Sequence, residues 1–271
     1  MSLDQLQPYF GLTGLPFRRD IAPSALYRSH AHQEARARIG FVVAQGAIGV
    51  ITGAVGAGKT CAARAASASL DRSRHTLIYL PNPAIGARGI YQQIITALGG
   101  RPRFHKAALI PQAHELLDRE RSERHKQTVL ILDEAHLLAA DQLEELRLLT
   151  NAEMDSQSPF SLLLLGQPQL RRRLRLGSFA ALDQRIALRY ELSGLTAVES
   201  ADYLHHHLKL AGREDRLFSD DAIALIHDAA NGIPRQLNNL ATQALIATYA
   251  ENKSLVDESA ARAAITEVTA E

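Results

Sequence analysis

The 271-residue chain has 46% hydrophobic and 22% charged residues, a composition that is typical of a globular protein and excludes a disordered or fibrous one. Lysine and arginine (30) nearly balance aspartate and glutamate (29), so any affinity for nucleic acid has to come from local patches of positive charge. A single cysteine excludes an intrachain disulfide, and no secretory signal or apolar run near the roughly 20 residues of a membrane span is present, so we expect a soluble cytoplasmic protein without a membrane partner.

Residues 1–30 are expected to form an irregular arm, which leads into a helix from about residue 29 to residue 45. Short apolar runs and segments of helical periodicity then alternate over residues 31–193, and this alternation predicts a doubly wound α/β domain with a buried parallel sheet. The predicted strands are Ile48–Ile51, Thr76–Leu80, Val129–Leu132, Ser161–Leu165 and Arg189–Leu192. The predicted helices between them are Thr60–Leu70, Ala87–Leu98, Ala107–Glu123 and Asp141–Met154.

From Gly194 onward the pattern predicts helices alone, so residues 194–271 are expected to form a small helical domain. Thr196 and Glu199 have the spacing of a capping box, in which each side chain bonds the backbone N–H of the other residue. Ser219 and Pro234 are typical of the first positions of two further helices, and a last helix is expected to open at Asp257.

The strongest motif is the segment GAVGAGKT, which matches G-x-x-x-x-G-K-[ST] and lies between a predicted strand and a predicted helix. In that context glycines let backbone N–H groups point at phosphate oxygens, Lys59 reaches the β- and γ-phosphates, and the Thr60 hydroxyl ligates Mg²⁺. The motif therefore predicts ATP with Mg²⁺. The residues expected to contact the nucleotide here are Gly53, Val55, Gly56, Ala57, Gly58, Lys59, Thr60 and Cys61.

A second motif is the apolar run Val129–Leu132 followed by Asp133 and Glu134. The apolar residues bury the strand, so the two carboxylates emerge at its C-terminal end, where open α/β sheets bind ligands. Asp133 is expected to hold Mg²⁺ through water, and Glu134 to polarise the attacking water. His136 follows on the same edge and is expected to be a loop histidine without a role.

These motifs, taken in order with three further segments, resemble the AAA+ ATPases of the ExeA type, a family whose short, transposition-associated members include TniB-like and IstB-like proteins. The resemblance implies an AAA+ P-loop nucleotide-binding domain over residues 31–193 and a helical lid over residues 194–271. The segments that carry it are the phosphate loop, Asp133–His136, Leu165–Leu170, Gln184–Ile186 and Gly232–Arg235, with Phe10–Leu12, Pro16–Phe17 and Leu26–Tyr27 in the arm.

The resemblance also implies roles for single residues. Gln167 takes the sensor-1 place at the end of the fourth strand, and Arg235 takes the sensor-2 place at the start of a lid helix. Arg185 is the favoured arginine finger, with Arg189 as its competitor. A finger that acts on the neighbouring subunit implies a homo-oligomer, either a ring or a helical filament. Tyr27 is expected either to wall the adenine pocket or to pack in the core.

Two basic clusters are candidates for further contacts. Arg101, Arg103 and Lys106 lie between two predicted helices, in a region that faces the pore in AAA+ proteins assembled around duplex DNA, so they are the favoured contacts to DNA phosphates. The second cluster, Arg171–Arg175, is expected to serve a subunit interface. For both clusters the alternative is a solvated charged face.

The chain ends at the lid, without a membrane segment or further domain, and this favours the transposition branch of the family. The expected function is an ATPase that oligomerises with ATP on double-stranded DNA, selects a target and recruits or activates a transposase. The alternative is a cytosolic ATPase that assists assembly of a secretion system and acts on protein partners. A third hypothesis is a nucleotide switch that binds ATP tightly and hydrolyses it little.

Overall fold

The computed structural model describes residues 5–151 and 158–269. Its contacts divide the chain into two compact units. The α/β unit comprises His32–Val55 and Lys59–Leu192, and the arm–lid unit comprises the described residues of Met1–Ala31, Gly56–Gly58 and Ser193–Glu271. The division of the sequence into domains of residues 1–30, 31–193 and 194–271 stays a prediction.

The α/β unit is built on a parallel sheet, which has five strands in the part of the chain that the structure describes. The strand order is β2-β3-β4-β1-β5, so β1, β3 and β4 are interior strands, and every residue of β1 and β4 is buried. The predicted doubly wound α/β fold is confirmed. The strands are β1 (Ile48–Gly53), β2 (His75–Leu80), β3 (Gln127–Leu132), β4 (Phe160–Gly166) and β5 (Ile186–Leu192).

Helices flank this sheet, and their apolar faces form one core with it. Ile94, Ile95 and Leu109 are almost fully buried in that core, together with Leu130 and Leu162 of the interior strands. The predicted helix Asp141–Met154 is observed as Ala140–Leu149, and Met154 lies outside the described residues. The helices are α2 (His30–Ala44), α3 (Lys59–Ala68), α4 (Gly86–Ala97), α5 (Lys106–Ser122), α6 (Ala140–Leu149), α7 (Pro168–Leu174) and α8 (Ala180–Asp183).

The arm–lid unit has its own apolar core, to which the N-terminal arm contributes Leu6, Phe10, Leu12 and Phe17. The arm is less irregular than its sequence predicts, because it contains a four-residue helix and a turn of 3₁₀-helix at Pro23–Ala25. The four predicted lid helices are present. The helices of this unit are α1 (Leu6–Tyr9), α9 (Ala197–Leu210), α10 (Asp220–Ala230), α11 (Pro234–Ala250) and α12 (Glu258–Thr269).

Hydrogen bonds over a long sequence separation hold the arm to the lid helices. Thr13 N–H donates to the carbonyl oxygen of Ala211 (2.8 Å), and the Arg213 guanidinium donates to the carbonyl oxygen of Phe10 (2.7 Å). The capping box at the start of α9 forms as predicted, with Glu199 N–H donating to Thr196 Oγ1 (3.2 Å). None of the helices within the described ranges is both long and apolar enough to span a bilayer.

Candidate active site

The phosphate loop connects the end of β1 to the start of α3. Gly56 (φ +84°) and Gly58 (φ +99°) adopt left-handed backbone conformations that a residue with a Cβ rarely takes, which explains the glycines of the motif. The Lys59 side chain is buried, and its ammonium group donates to the carbonyl oxygens of Gly53 (3.0 Å) and Ala54 (2.9 Å). Because α3 begins at Lys59, its unpaired N–H groups and the ammonium group together make a site for an anion.

Thr60 and Asp133 meet although 73 residues separate them in the sequence. Thr60 Oγ1 donates to Asp133 Oδ2 at 2.6 Å, and the Asp133 side chain is buried. Hydroxyl and carboxylate oxygens are hard donors of the kind that Mg²⁺ prefers. The two predicted metal contacts are therefore brought together, and their chemistry fits the magnesium ion that accompanies ATP.

Tyr79 is a third member of this group, and the sequence did not predict it. It lies one residue before the end of β2, and its hydroxyl donates to Asp133 Oδ2 at 3.0 Å. Partial burial of the ring and the neighbouring Asp133 carboxylate raise the pKa of Tyr79 to about 12, so the hydroxyl keeps its proton at neutral pH. The other carboxylate oxygen, Asp133 Oδ1, accepts from Glu134 N–H (2.9 Å).

Glu134 turns the chain sharply at the end of β3. Its backbone is left-handed (φ +51°), and its half-exposed carboxylate lies beside the imidazole of His136, with Oε2 3.3 Å from Nδ1. The His136 side chain is 5% exposed, and Nδ1 forms no hydrogen bond to any other described residue. The structure therefore places His136 next to the predicted catalytic carboxylate. The only sequence signal for this contact was a spacing of two residues.

Comparisons with known proteins agree with this geometry. Residues 43–174 match the model of the AAA domain. The fold resembles that of Cdc6p from Pyrobaculum aerophilum (TM-score 0.68, 17% identity, 89% of this chain and 67% of that chain). It also resembles the Aeropyrum pernix ORC2 protein (TM-score 0.66, 20% identity, 93% and 70%). Residues 43–174 are thus similar to an AAA domain, and the chain has the fold of the AAA+ P-loop ATPases.

One curated relative is more similar in sequence than these structures. The chain is 32% identical over 246 residues to the general secretion pathway protein A of Aeromonas hydrophila. The match covers 89% of this chain but 44% of that protein, so the chain spans less than half the length of its relative. The comparisons thus support the predicted resemblance to the AAA+ ATPases. The assignment to the TniB-like or IstB-like branch stays a prediction.

Gln167 of the AAA+ domain lies directly after β4, at the same edge of the sheet as Asp133 and Glu134. The preceding Gly166 packs closely on the turn after β3, because a Cβ there would lie 3.2 Å from the backbone nitrogen of His136. The end of β4 is thus near the carboxylate turn. The sensor-1 role of Gln167 stays a prediction.

The two candidate arginine fingers both contact their own chain. Arg185 is half-buried and donates to Thr150 Oγ1 (3.2 Å). Arg189 forms an ion pair with Asp183 (2.7 Å) and donates to the carbonyl oxygen of Ile186 (3.2 Å). The Asp183 carboxylate neutralises the charge of Arg189. A role in a neighbouring subunit stays a prediction for either arginine.

Arg235 and Tyr27 belong to the arm–lid unit. Arg235 N–H donates to the carbonyl oxygen of Gly56 (3.4 Å), which belongs to the same unit. The Tyr27 ring packs edge-to-face on Tyr203, with 5.7 Å between centroids, and also against His206. Tyr27 thus packs on the lid core, the second of its two predicted roles, while the adenine contact is untested. The nucleotide contact of Arg235 also stays a prediction.

The first basic cluster lies in the loop between α4 and α5. Arg101 and Arg103 are exposed, and the Gln112 side chain holds the loop by hydrogen bonds to the backbone of both residues. Lys106 instead forms an ion pair with Glu145. Phe104 is 74% exposed at this loop. All three predicted DNA contacts are therefore exposed, and Lys106 has an acidic partner.

In the second basic cluster, Arg171 and Arg173 contact other residues of the α/β unit. Arg171 forms an ion pair with Glu191 (2.9 Å). Arg173 donates to the carbonyl oxygen of Leu138, and its guanidinium lies 5.4 Å from the centre of the Phe179 ring. These contacts give Arg171 and Arg173 structural roles within one chain, whereas Arg172 and Arg175 are exposed. The predicted role of the cluster at a subunit interface is untested.

Proposed function

We propose that this AAA+ domain binds ATP with Mg²⁺ and hydrolyses it. The observation that carries the proposal is the convergence of Lys59, Thr60, Asp133 and Glu134 at one edge of the sheet. Lys59 and the N–H groups at the start of α3 bind the phosphates, and Thr60 and Asp133 hold the metal ion. Mg²⁺, when bound, neutralises charge on the phosphate oxygens.

Glu134 is proposed to act as the general base. It takes a proton from the attacking water, whose oxygen bonds to the γ-phosphorus while the bond to the leaving oxygen of ADP breaks. Gln167 orients this water from the end of β4, and Arg235 contacts the nucleotide from the lid. Arg185 of a second subunit completes the charge stabilisation, so hydrolysis depends on a homo-oligomer.

A Glu134→Gln variant tests the proposal. It keeps the size and polarity of the side chain but removes the base, so the hydrolysis rate should fall by roughly 100- to 10,000-fold while ATP affinity is retained. Exposed Glu123 offers a matched control, and Glu123→Gln should hydrolyse ATP like the parent. Full-rate hydrolysis by Glu134→Gln would refute the catalytic assignment, and a parent chain that binds ATP without turnover would favour the nucleotide switch.

We infer that the cellular partners are proteins, and that the ATPase assists assembly of a secretion machine in the cytoplasm. The 32% identity to general secretion pathway protein A supports this role over transposition. The second candidate is sequence-tolerant binding of double-stranded DNA in support of a transposase. The exposed loop with Arg101 and Arg103 favours the DNA contact, since two exposed guanidinium groups suit phosphates.

Fluorescence anisotropy with a labelled duplex separates the two roles. The protein-partner role predicts no ATP-dependent binding at low salt. The DNA role predicts binding that is stronger with ATP than with ADP, weakens steeply with salt and is lost in the double variant Arg101→Glu, Arg103→Glu. The double variant Arg119→Glu, Arg121→Glu on α5 reverses the same charges at exposed positions and is the control.

A further inference from the structure

We propose that the Tyr79 hydroxyl positions the metal-binding carboxylate of Asp133. This inference rests on the proposed binding of Mg-ATP and adds a residue that belongs to neither sequence motif. Tyr79 is assigned no contact with the nucleotide or with the metal ion. It acts through the Asp133 side chain, so it is a positioning residue and not a catalytic one.

Strand pairing brings Tyr79 to this place. In the parallel register, Tyr79 is opposite Ile131 and Leu80 is opposite Leu132, and Asp133 N–H continues the ladder by donating to the carbonyl oxygen of Leu80 (2.9 Å). The ends of β2 and β3 are therefore fixed to each other at the position of the carboxylate. The Tyr79 hydroxyl then reaches Asp133 Oδ2 at 3.0 Å.

The Asp133 carboxylate is held at both oxygens. Oδ1 accepts from Glu134 N–H, and Oδ2 accepts from the hydroxyls of Thr60 and Tyr79. Thr60 is itself a predicted metal contact, so its hydroxyl would have to serve both the carboxylate and the ion. Tyr79 also donates to Oδ2, but it is not a predicted metal contact. Partners of this kind fix the orientation of a metal-binding group before the ion arrives.

Packing of the ring does not by itself explain the contact. Tyr79 is 44% exposed, much like Leu77 two residues earlier on the same face of β2, so the ring is not enclosed in a core that would dictate where its hydroxyl lies. Removing the hydroxyl while keeping the ring therefore tests positioning without opening a cavity. Tyr91 offers a matched control in the same unit, because its hydroxyl also donates to a carboxylate, that of Glu145 (2.8 Å).

The experiment uses the full chain with Tyr79→Phe and Tyr91→Phe. Binding of Mn²⁺ in the presence of ADP is followed by electron paramagnetic resonance, and a fluorescent ADP analogue in EDTA gives the metal-free nucleotide affinity. Loss of a partner that orients a metal ligand lowers metal affinity by roughly 10- to 100-fold. We expect the lower end for Tyr79→Phe, since water reaches this half-exposed position, with metal-free affinity within about twofold of the parent.

Tyr91→Phe should change neither affinity. Equal Mn²⁺ affinity in Tyr79→Phe and the parent would overturn the positioning role, and so would an equal loss in both variants, which would indicate a general effect of removing a hydroxyl. If the parent itself shows no metal-dependent nucleotide binding, the proposed function fails and this inference fails with it. That outcome is distinguishable, because it appears without any substitution.

Discussion

The two units bury different kinds of side chain. Among the described residues, the α/β unit buries the charged groups of Lys59, Glu120 and Asp133, each with hydrogen-bond partners. The arm–lid unit buries no lysine, arginine, aspartate or glutamate in its described part, and its core is apolar and aromatic around His207. Since an unpaired buried charge is strongly destabilising, buried charge is found here where neighbouring groups compensate it. Lys59 and Asp133 belong to the candidate site.

The arm–lid unit depends instead on ring packing between distant parts of the chain. Phe17 stacks on His207 at 5.4 Å between ring centres and meets Phe218 edge-to-face. Tyr203 also lies against His207, at 4.4 Å. This unit is therefore sensitive to the size and charge of a few buried rings, whereas the α/β unit contains the buried charged residues of the candidate site. Four substitutions test this contrast, in order of decreasing effect.

The largest effect is expected from Phe10→Ala. Phe10 is 2% exposed in the arm–lid core, and truncation of a buried phenylalanine lowers the free energy of unfolding by about 3–5 kcal/mol. Urea unfolding followed by circular dichroism measures the change. Phe41→Ala is the control, because that ring is 52% exposed on α2 and its loss should change stability by less than about 1 kcal/mol. Similar values for both variants would show that the arm is not part of a core.

The second effect is a pH dependence of stability. Burial, assisted by His206, lowers the pKa of His207 to about 4, so the unfolded chain takes up a proton at a higher pH than the folded chain does. The stabilisation by neutral His207 is present above pH ~6.5 and is lost progressively as pH falls towards 4, by up to about 3 kcal/mol.

His207→Phe checks this assignment, because phenylalanine keeps a ring between Phe17 and Tyr203 but cannot take up a proton. Unfolding free energies are measured from pH 7 to pH 4 for the parent and the variant. The parent should lose more stability than the variant across this interval. Parallel curves would mean that His207 does not contribute, and that other groups cause any loss in acid.

The third effect concerns nucleotide binding in the α/β unit. Lys59→Ala removes the ammonium group of the phosphate loop, and we expect ATP affinity to fall by at least about 100-fold, equivalent to about 2.7 kcal/mol. Titration with a fluorescent ATP analogue measures the affinity. Lys209→Ala in the lid, with a side chain 71% exposed, is the control. Because Lys59 is buried, unfolding of the nucleotide-free variant has to be measured too, and a folded variant with the affinity of the parent would refute the site.

The smallest effect is expected at the start of α9. Thr196→Ala removes the oxygen that accepts from Glu199 N–H, and loss of such a cap lowers stability by about 1 kcal/mol. Thr196→Ser retains the hydroxyl and should stay within a few tenths of a kcal/mol of the parent. Thermal unfolding of the three proteins gives the comparison. An alanine variant as stable as the serine variant would show that the cap contributes nothing.

Local patterns predicted most of the secondary structure. The interior strands are continuous apolar runs, and the lid helices begin at residues that favour helix starts, such as Ser219 and Pro234. Helix α7 was not predicted, because three consecutive arginines obscure the buried Leu170 and Leu174 that give it an apolar face. Packing of the arm on the lid was also missed, since it joins residues about 200 positions apart, such as Phe10 and Arg213.

In the candidate site, too, the features carried by adjacent residues were predicted, whereas the contacts of Tyr79 and His136 were not. The phosphate loop and the Asp133–Glu134 pair are short motifs, so their chemistry follows from adjacent residues. The contact of Tyr79 with Asp133 depends on the register of two strands, and the side chains of Glu134 and His136 meet through a turn whose shape depends on φ +51° at Glu134. The spacing of residue types predicts neither which residues of β2 and β3 are opposite each other nor the geometry of the turn at Glu134.

The left-handed backbone at Glu134 has an evolutionary consequence. A glycine adopts this conformation freely, whereas a residue with a side chain is disfavoured there by about 1 kcal/mol. A Glu134→Gly variant would therefore be more stable than the parent but, on our proposal, would no longer hydrolyse ATP. Selection for stability and selection for ATP hydrolysis therefore oppose each other at position 134. Selection for thermal stability alone would favour glycine and would remove the proposed catalytic base.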